Sequence, residues 1–484
     1  MEEFYRVLTL TGIGLYWVLV AGVTLRVVIK RRSVSVSMAW LMIIYILPVF
    51  GVIMYFLIGE LNLGRKRGER ADQMFEAYRG WFNQLHDCAA HVPDKMPTQI
   101  AHIDHLCTNR MDIPALGFNT LSLLTTPKGI LDAIVDDIDN AQEHVRMEFY
   151  IWHPGGLADN VGRALMNAAQ RGVIVEVLLD SAGSVSFFRS DWPKRLKLSG
   201  VNVVQALQVN PLRAFLRRLD LRLHRKIIAI DDTIAYTGSM NLVDPSCFKQ
   251  SAGVGEWVDI MIRVKGPAVN VLAAIHAWDW EVETGIQSLP SHPECHIETL
   301  EELHPIQVVP SGPGMPHNLI QQVLGIAISR ADKSVTITTP YFVPSEELLE
   351  VLRTVAQRGV KVKLIIPQKN DSIMVQWASR AYYAELLSAG VEIYEFHGGL
   401  LHTKSVVIDD TYCLVGTVNL DMRSLWLNFE VTLVVDDKAF TEEMVWLQRQ
   451  YIDQSHRLDK AAWSNRSLTH RFLERAFFLF SPLL

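Results

Sequence analysis

Two kinds of apolar pattern divide the chain. From residue 7 to residue 25 nothing is charged, and no polar stripe interrupts the run as it would on a half-buried helix or strand. At 1.5 Å per residue the run makes roughly 28 Å of helix, close to a hydrocarbon core of about 30 Å. A second uncharged run covers residues 33–59 and continues past Pro48, a residue tolerated as a kink in spanning helices. The pattern predicts two spans, about residues 7–28 and 37–59, joined by the basic linker Lys30-Arg31-Arg32 into a transmembrane hairpin over residues 1–62. The start Met1-Glu2-Glu3 offers no basic region and no small-residue cleavage site follows, so the first run reads as a retained span rather than a cleaved signal.

After a helical connector, residues 63–115, the pattern changes to short β-branched runs alternating with amphipathic stretches, and it does so twice. Residues 145–152, 168–179 and 199–204 recur in kind and order as 335–342, 355–366 and 389–394. In each half a helical run ends at Arg-Gly, with Gly172 or Gly359 as its C-terminal cap, and a strand follows directly. This βαβ grammar predicts an α/β fold of two pseudo-twofold-related sandwich domains with mixed sheets, residues 116–290 and 300–484, the second closing in an amphipathic C-terminal tail. Pro290, Pro293, Pro305, Pro310, Pro313 and Pro316 crowd the stretch between them, which reads as the linker.

Composition sharpens this only in places. Of the 484 residues 49% are hydrophobic, and the excess sits at the N-terminal end, where a membrane segment accounts for it. The net charge of −6 supplies no global basic field, which argues against a nucleic-acid partner. Cys88, Cys107, Cys247, Cys295 and Cys413 are scattered and odd in number, so neither a disulfide framework nor a zinc site is implied, and buried thiols in a reducing compartment are expected. With a slightly more basic flank beyond the spans, they lean the large C-terminal part toward the cytoplasmic side.

The candidate chemistry lies in a motif that occurs twice: H-x-K-x4-D-x6-G-[ST]-x-N. It starts at His224, with Lys226, Asp231, Gly238, Ser239 and Asn241, and again at His402, with Lys404, Asp409, Gly416, Thr417 and Asn419. Each His-x-Lys reads as the start of a strand, where a period of two puts both side chains on one face. A lysine beside a histidine holds the imidazole nearer neutral, as a nucleophile requires. The lysines, with Ser239, Asn241, Thr417 and Asn419, would bind phosphate oxygens. Two copies around one point make a phosphoryl-transfer site in which one imidazole attacks phosphorus and the other protonates the leaving alkoxide.

The sequence carries no metalloprotease, EF-hand or Walker motif, so no cofactor or metal is expected. Asp231 and Asp409 complete the catalytic motif, yet they stand at strand ends before turns, where a carboxylate bonds turn amides or a nearby base. Asp259 and Glu430, on the next strand after each Asn, are placed to orient an imidazole from behind. Between the first repeat's last βαβ strand and His224 an insert interleaves Arg213, Arg217, Arg218 and Arg222 with Leu and Phe. It reads either as a solvated helix face or as an element gripping anionic lipid headgroups.

The doubled motif resembles the phospholipase D superfamily over roughly residues 116–484. With the N-terminal hairpin and the stretches 222–226, 237–241 and 416–424, the whole chain is similar to the bacterial cardiolipin synthases within it. That resemblance implies two phospholipase D-like domains behind a membrane hairpin in the bacterial inner membrane. It also implies a reaction: two phosphatidylglycerols give cardiolipin and glycerol, with His224 the nucleophile and His402 the acid/base. The residues alone leave the two histidines equivalent. A membrane-bound phospholipase D hydrolase or other transphosphatidylase, a nuclease of the same superfamily and a non-catalytic lipid-binding scaffold stand as alternatives.

Overall fold

The computed structural model describes residues 1–30, 34–60, 63–87, 99–208, 218, 220–290, 292–293 and 304–481. The first apolar run is one helix, Glu2–Ile29, long and apolar enough to cross a membrane. The second is not one span. It forms helix Val34–Ile46, breaks at Leu47, and resumes as Pro48–Met54 and a π turn, Tyr55–Gly59. Pro48 has no amide hydrogen to continue the helix, and Gly51 lets the chain fold back, since a Cβ there would stand 2.7 Å from the Ile43 carbonyl oxygen. Trp40, Ile44, Val52 and Tyr55 pack with Val20, Val23 and Val27, and Arg26 Nη2 donates to Glu60 Oε2 at 2.9 Å. The hairpin thus exists as a packed unit, but its second arm is two helices of 13 and 7 residues, each short of a bilayer's thickness.

Each half builds a mixed sheet with the same strand order. Across the first run Thr120–Leu124, Met261–Lys265, Ile234–Gly238, Ile227–Ile230, His144–Phe149, Ile174–Asp180 and Asn202–Ala206. Across the second run Ile306–Ser311, Glu430–Val435, Tyr412–Gly416, Ser405–Ile408, Ser334–Thr338, Lys361–Pro367 and Glu392–Phe396, with Ser455–Arg457 added at the far edge. The strands joined through helices are parallel and the others antiparallel, as βαβ crossovers and hairpins require. Gly172 (φ 97°) and Gly359 (φ 100°) terminate helices Ala158–Gln170 and Glu346–Gln357 in the left-handed region, as their sequence positions predict.

The proline-rich stretch is only partly a linker. Pro310 lies inside strand Ile306–Ser311, which is tolerated because that strand forms the edge of its sheet, paired on one side with Glu430–Val435 and bridged on the other at Ile306, to Leu116. Helix Ala268–Thr284, buried from Ala268 through Val282, sits in a core shared by residues of both halves, among them Ile227, Val264, Ile337, Leu414 and Val431. The connector helix Arg65–Asn83 docks on it, with Arg67 Nη2 on Glu283 at 2.7 Å and Arg70 Nη1 on the Val282 and Glu283 carbonyls at 2.9 Å each. Leu63, just beyond the membrane segment, packs on a cluster containing Leu223 and Phe429. Cys107 and Cys413 are buried as expected, whereas Cys247 is exposed; Cys88 and Cys295 lie outside the described residues.

Candidate active site

The regular strands begin at Ile227 and Ser405, after the lysine of each motif and not at the histidine. The reason is that the residues before each strand pair with the other half. Leu223 bridges Phe429, and His224 N donates to the Phe429 carbonyl at 3.0 Å. Leu400–Leu401 run parallel to Trp257–Val258, and His402 N donates to the Val258 carbonyl at 2.9 Å. Each histidine is therefore delivered beside the residue that follows its partner segment in the opposite half. Those residues are the two carboxylates: His224 Nδ1 lies 2.8 Å from Glu430 Oε2, and His402 Nδ1 lies 2.7 Å from Asp259 Oδ1. An ionised carboxylate only accepts, so Nδ1 carries the proton and Nε2 is left for the cavity.

The G-[ST] pair of the motif explains how the carboxylates are held. A Cβ on Gly238 would stand 2.5 Å from the Ile260 carbonyl oxygen and one on Gly416 2.3 Å from that of Val431, so only glycine allows the approach. Ser239 Oγ then accepts from Ile260 N at 3.0 Å, and Thr417 Oγ1 from Val431 N at 2.9 Å. Ile260 and Val431 directly follow Asp259 and Glu430. The hydroxyls thus hold the segments that carry the carboxylates and are not among the residues that line the cavity.

Asn241 and Asn419 do line the cavity. Asn241 Oδ1 accepts from Ile151 N at 3.1 Å, while its buried Nδ2 has no partner among the described residues and is available to an incoming oxygen. Lys226 Nζ is 2.6 Å from the His224 carbonyl, and Lys404 Nζ makes the same bond to His402. Asp231 and Asp409 stand elsewhere. Asp231 accepts from the amides of Gln142, Glu143 and His144, each at 2.8 Å, and Asp409 likewise takes Asp332, Lys333 and Ser334. Each pins the turn that launches the neighbouring antiparallel strand, and neither contacts an imidazole.

Both histidines sit on a cavity of about 450 Å³ that also reaches Tyr150, Trp257, Tyr341, Lys249 and Arg423. Tyr150 packs on His224 (5.1 Å between centroids) and Trp257 on His402 (4.4 Å). Sequence reading missed these residues; the aromatics follow the strands of the repeat, a signal available in Tyr150 and Tyr341 but without a charge to draw notice. Of the arginine insert, Arg213 and Arg217 lie outside the described residues, Arg218 is clasped by Asp220 (Nη2 to Oδ2, 2.9 Å), and Arg222 lines the cavity.

Burial, aided by Lys226 and Lys404 and opposed by Glu430, pushes the His224 imidazole down to about 4. Burial does the same to His402, also to about 4, against the pull of Asp259. The neutral state expected from the adjacent lysine is thus owed first to desolvation. Burial likewise brings Lys226 down to about 8 and Lys404 to about 7. The site keeps two neutral imidazoles and weakly held lysine charges, all of which an anionic phosphodiester would stabilise in their protonated forms.

Comparison with known proteins points the same way. The family described as "Cardiolipin synthase, PLD-like domain" matches residues 134–270 and 324–449, and "Phospholipase_D-nuclease N-terminal" matches residues 16–60. The chain belongs to the cardiolipin synthase family of phospholipase D-like proteins. Cardiolipin synthase A of Edwardsiella ictaluri (strain 93-146) is 52% identical over 486 residues, covering 100% of both chains. Cardiolipin synthase A of Yersinia pseudotuberculosis serotype O:1b (strain IP 31758) is 52% identical over 487 residues with the same coverage. Among solved structures, the phosphatidylserine synthase of Haemophilus influenzae Rd KW20 superposes with a TM-score of 0.58 at 15% identity, over 79% of this chain and 98% of that one, a likeness of fold.

Proposed function

We propose that this chain is a cardiolipin synthase that transfers the phosphatidyl group of one phosphatidylglycerol to another through a phosphatidyl-histidine. The observation that carries this reading is the pair of His–carboxylate contacts crossing between the halves, His224–Glu430 and His402–Asp259, which turn two Nε2 atoms toward one cavity. His224 Nε2 attacks phosphorus; the P–O bond to glycerol breaks as the P–N bond forms, and His402, which takes up a second proton at Nε2 when the anionic phosphodiester binds, gives that proton to the departing oxygen. Glu430 stabilises the cationic imidazole so formed. The second phosphatidylglycerol then gives its hydroxyl proton to His402, and its oxygen displaces His224 from phosphorus. Lys226, Lys404, Asn241 and Asn419 hold the phosphate oxygens through both steps.

The catalytic part faces the cytoplasm of a bacterium whose inner membrane carries the N-terminal segment, a placement supported by unpaired thiols such as exposed Cys247. Incubating the purified full chain with headgroup-labelled phosphatidylglycerol tests the reaction: cardiolipin and glycerol should appear in equal amounts. Phosphatidic acid as the sole lipid product would identify a hydrolase instead.

A further inference from the structure

We infer that the C-terminal helix Leu468–Phe478, together with the first turn of helix Ile373–Ala389, forms a surface that rests in the bilayer interface beside the active-site mouth. This rests on the reading of the cavity as a lipid site. The two helices pack together on inner faces that are already satisfied. Trp377 stacks on His470 (5.8 Å) and Phe477 (6.4 Å), and buried Glu474 is held by Arg466 Nε at 2.9 Å and by Arg380. The outside carries an apolar stripe: Leu468 is 78% exposed, Phe472 72% and Ile373 69%, with Met374, Leu473, Leu479 and Phe480 also exposed.

Leu468 and Phe472 are one turn apart, and Arg471 and Arg475 are exposed on the same helix. An apolar stripe flanked by arginines, whose stems lie along the apolar surface while their heads reach phosphates, fits the headgroup boundary of an anionic bilayer. Location decides the occupant. Ile373 and Met374 stand between Ser372 and Val375, both of which line the cavity, so the stripe continues to the mouth. Leu63 ties the end of the membrane segment to the cluster of Leu223 and Phe429, whose neighbours Arg222, His224 and Asn428 line the same cavity. A bilayer meeting both places covers the mouth between them, and a lipid enters without passing through water.

The test uses the full chain. Leu468→Glu with Phe472→Glu should lower transfer from phosphatidylglycerol in anionic vesicles by about tenfold or more, the loss expected when two side chains no longer enter the lipid. With a short-chain phosphatidylglycerol below its micelle concentration, the same variant should stay within about threefold of the parent. Equal losses on both substrates signal a folding defect and pass the decision to a single Phe472→Cys change, made with the native cysteines replaced and carrying a fluorophore. Quenching of that fluorophore by brominated vesicle lipids supports the inference. No quenching, or vesicle activity of the double variant equal to the parent, overturns it. Absence of cardiolipin from the parent chain would sink the proposed reaction while leaving the quenching result to stand by itself.

Discussion

Replacing Glu430 with Gln removes one charge and few atoms. Glu430 is fully buried, its Oε2 is 2.8 Å from His224 Nδ1, and that oxygen also accepts from Thr417 Oγ1. Burial alone would raise this carboxyl, but the pairing with His224 and the charge of Lys226 hold it below the usual range, so the resting residue is an anion. In the resting state its partner is a neutral imidazole. Once His224 bonds phosphorus the imidazole is cationic, and the contact becomes a buried ion pair. The pair therefore stabilises the route to the intermediate more than the ground state, so its loss falls on kcat and not on KM. Breaking a buried pair costs about 3 to 5 kcal/mol, and the lower figure alone slows the reaction by about two orders of magnitude. The assay is steady-state conversion of labelled phosphatidylglycerol, with thermal unfolding as the control for fold. A well-folded Glu430→Gln chain losing less than about fivefold in kcat would refute the cross-half dyad as part of the chemistry, and Asp259→Asn should match Glu430→Gln in size.

Asp231→Ala leaves three backbone amides without their acceptor and should cost about 2 kcal/mol of stability by denaturant titration, with kcat within about threefold, since the carboxylate touches neither histidine. Lys404 is held at about 7 and Lys226 at about 8, and a bound phosphodiester favours their charged forms, so the complex holds more protons than the free enzyme. Affinity for a non-reactive phosphonate analogue of phosphatidylglycerol should accordingly weaken with rising pH, by more than about tenfold from pH 7 to 8.5, in calorimetric titrations; a flat profile there would contradict lysine recognition.

Much of this was legible in the residues. The doubled motif located both imidazoles and both lysines, and the Arg-Gly boundaries gave the crossovers, because local backbone rules govern those positions. Asp259 and Glu430 were visible as carboxylates after each Asn, Glu430 opening its strand and Asp259 standing between Trp257–Val258 and Met261–Lys265, but nothing in either segment says that its partner lies in the other half; that depends on how the halves pack. Where the Ser239 and Thr417 hydroxyls point was hidden for a related reason. A hydroxyl beside a catalytic asparagine suits a phosphate, and only tertiary structure shows it turned to the amides of Ile260 and Val431. The second apolar run passed every compositional test for a span, yet Pro48 and Gly51 together fold it back, a sharper consequence than a kink.

The most direct measurement is to catch the covalent state. The full-length His402→Ala chain, mixed with phosphatidylglycerol labelled in its acyl chains, loses both the acid for the leaving glycerol and the base for the acceptor; loading on His224 slows, but without a base for the acceptor unloading slows more, so the phosphatidyl group should accumulate on the protein over long incubation. Rapid quenching under alkaline conditions, which preserve a phosphoramidate, followed by peptide mass spectrometry should place it on His224. Label on another residue, or cardiolipin formed at the parental rate with no labelled protein at any time, would contradict a reaction that passes through His224.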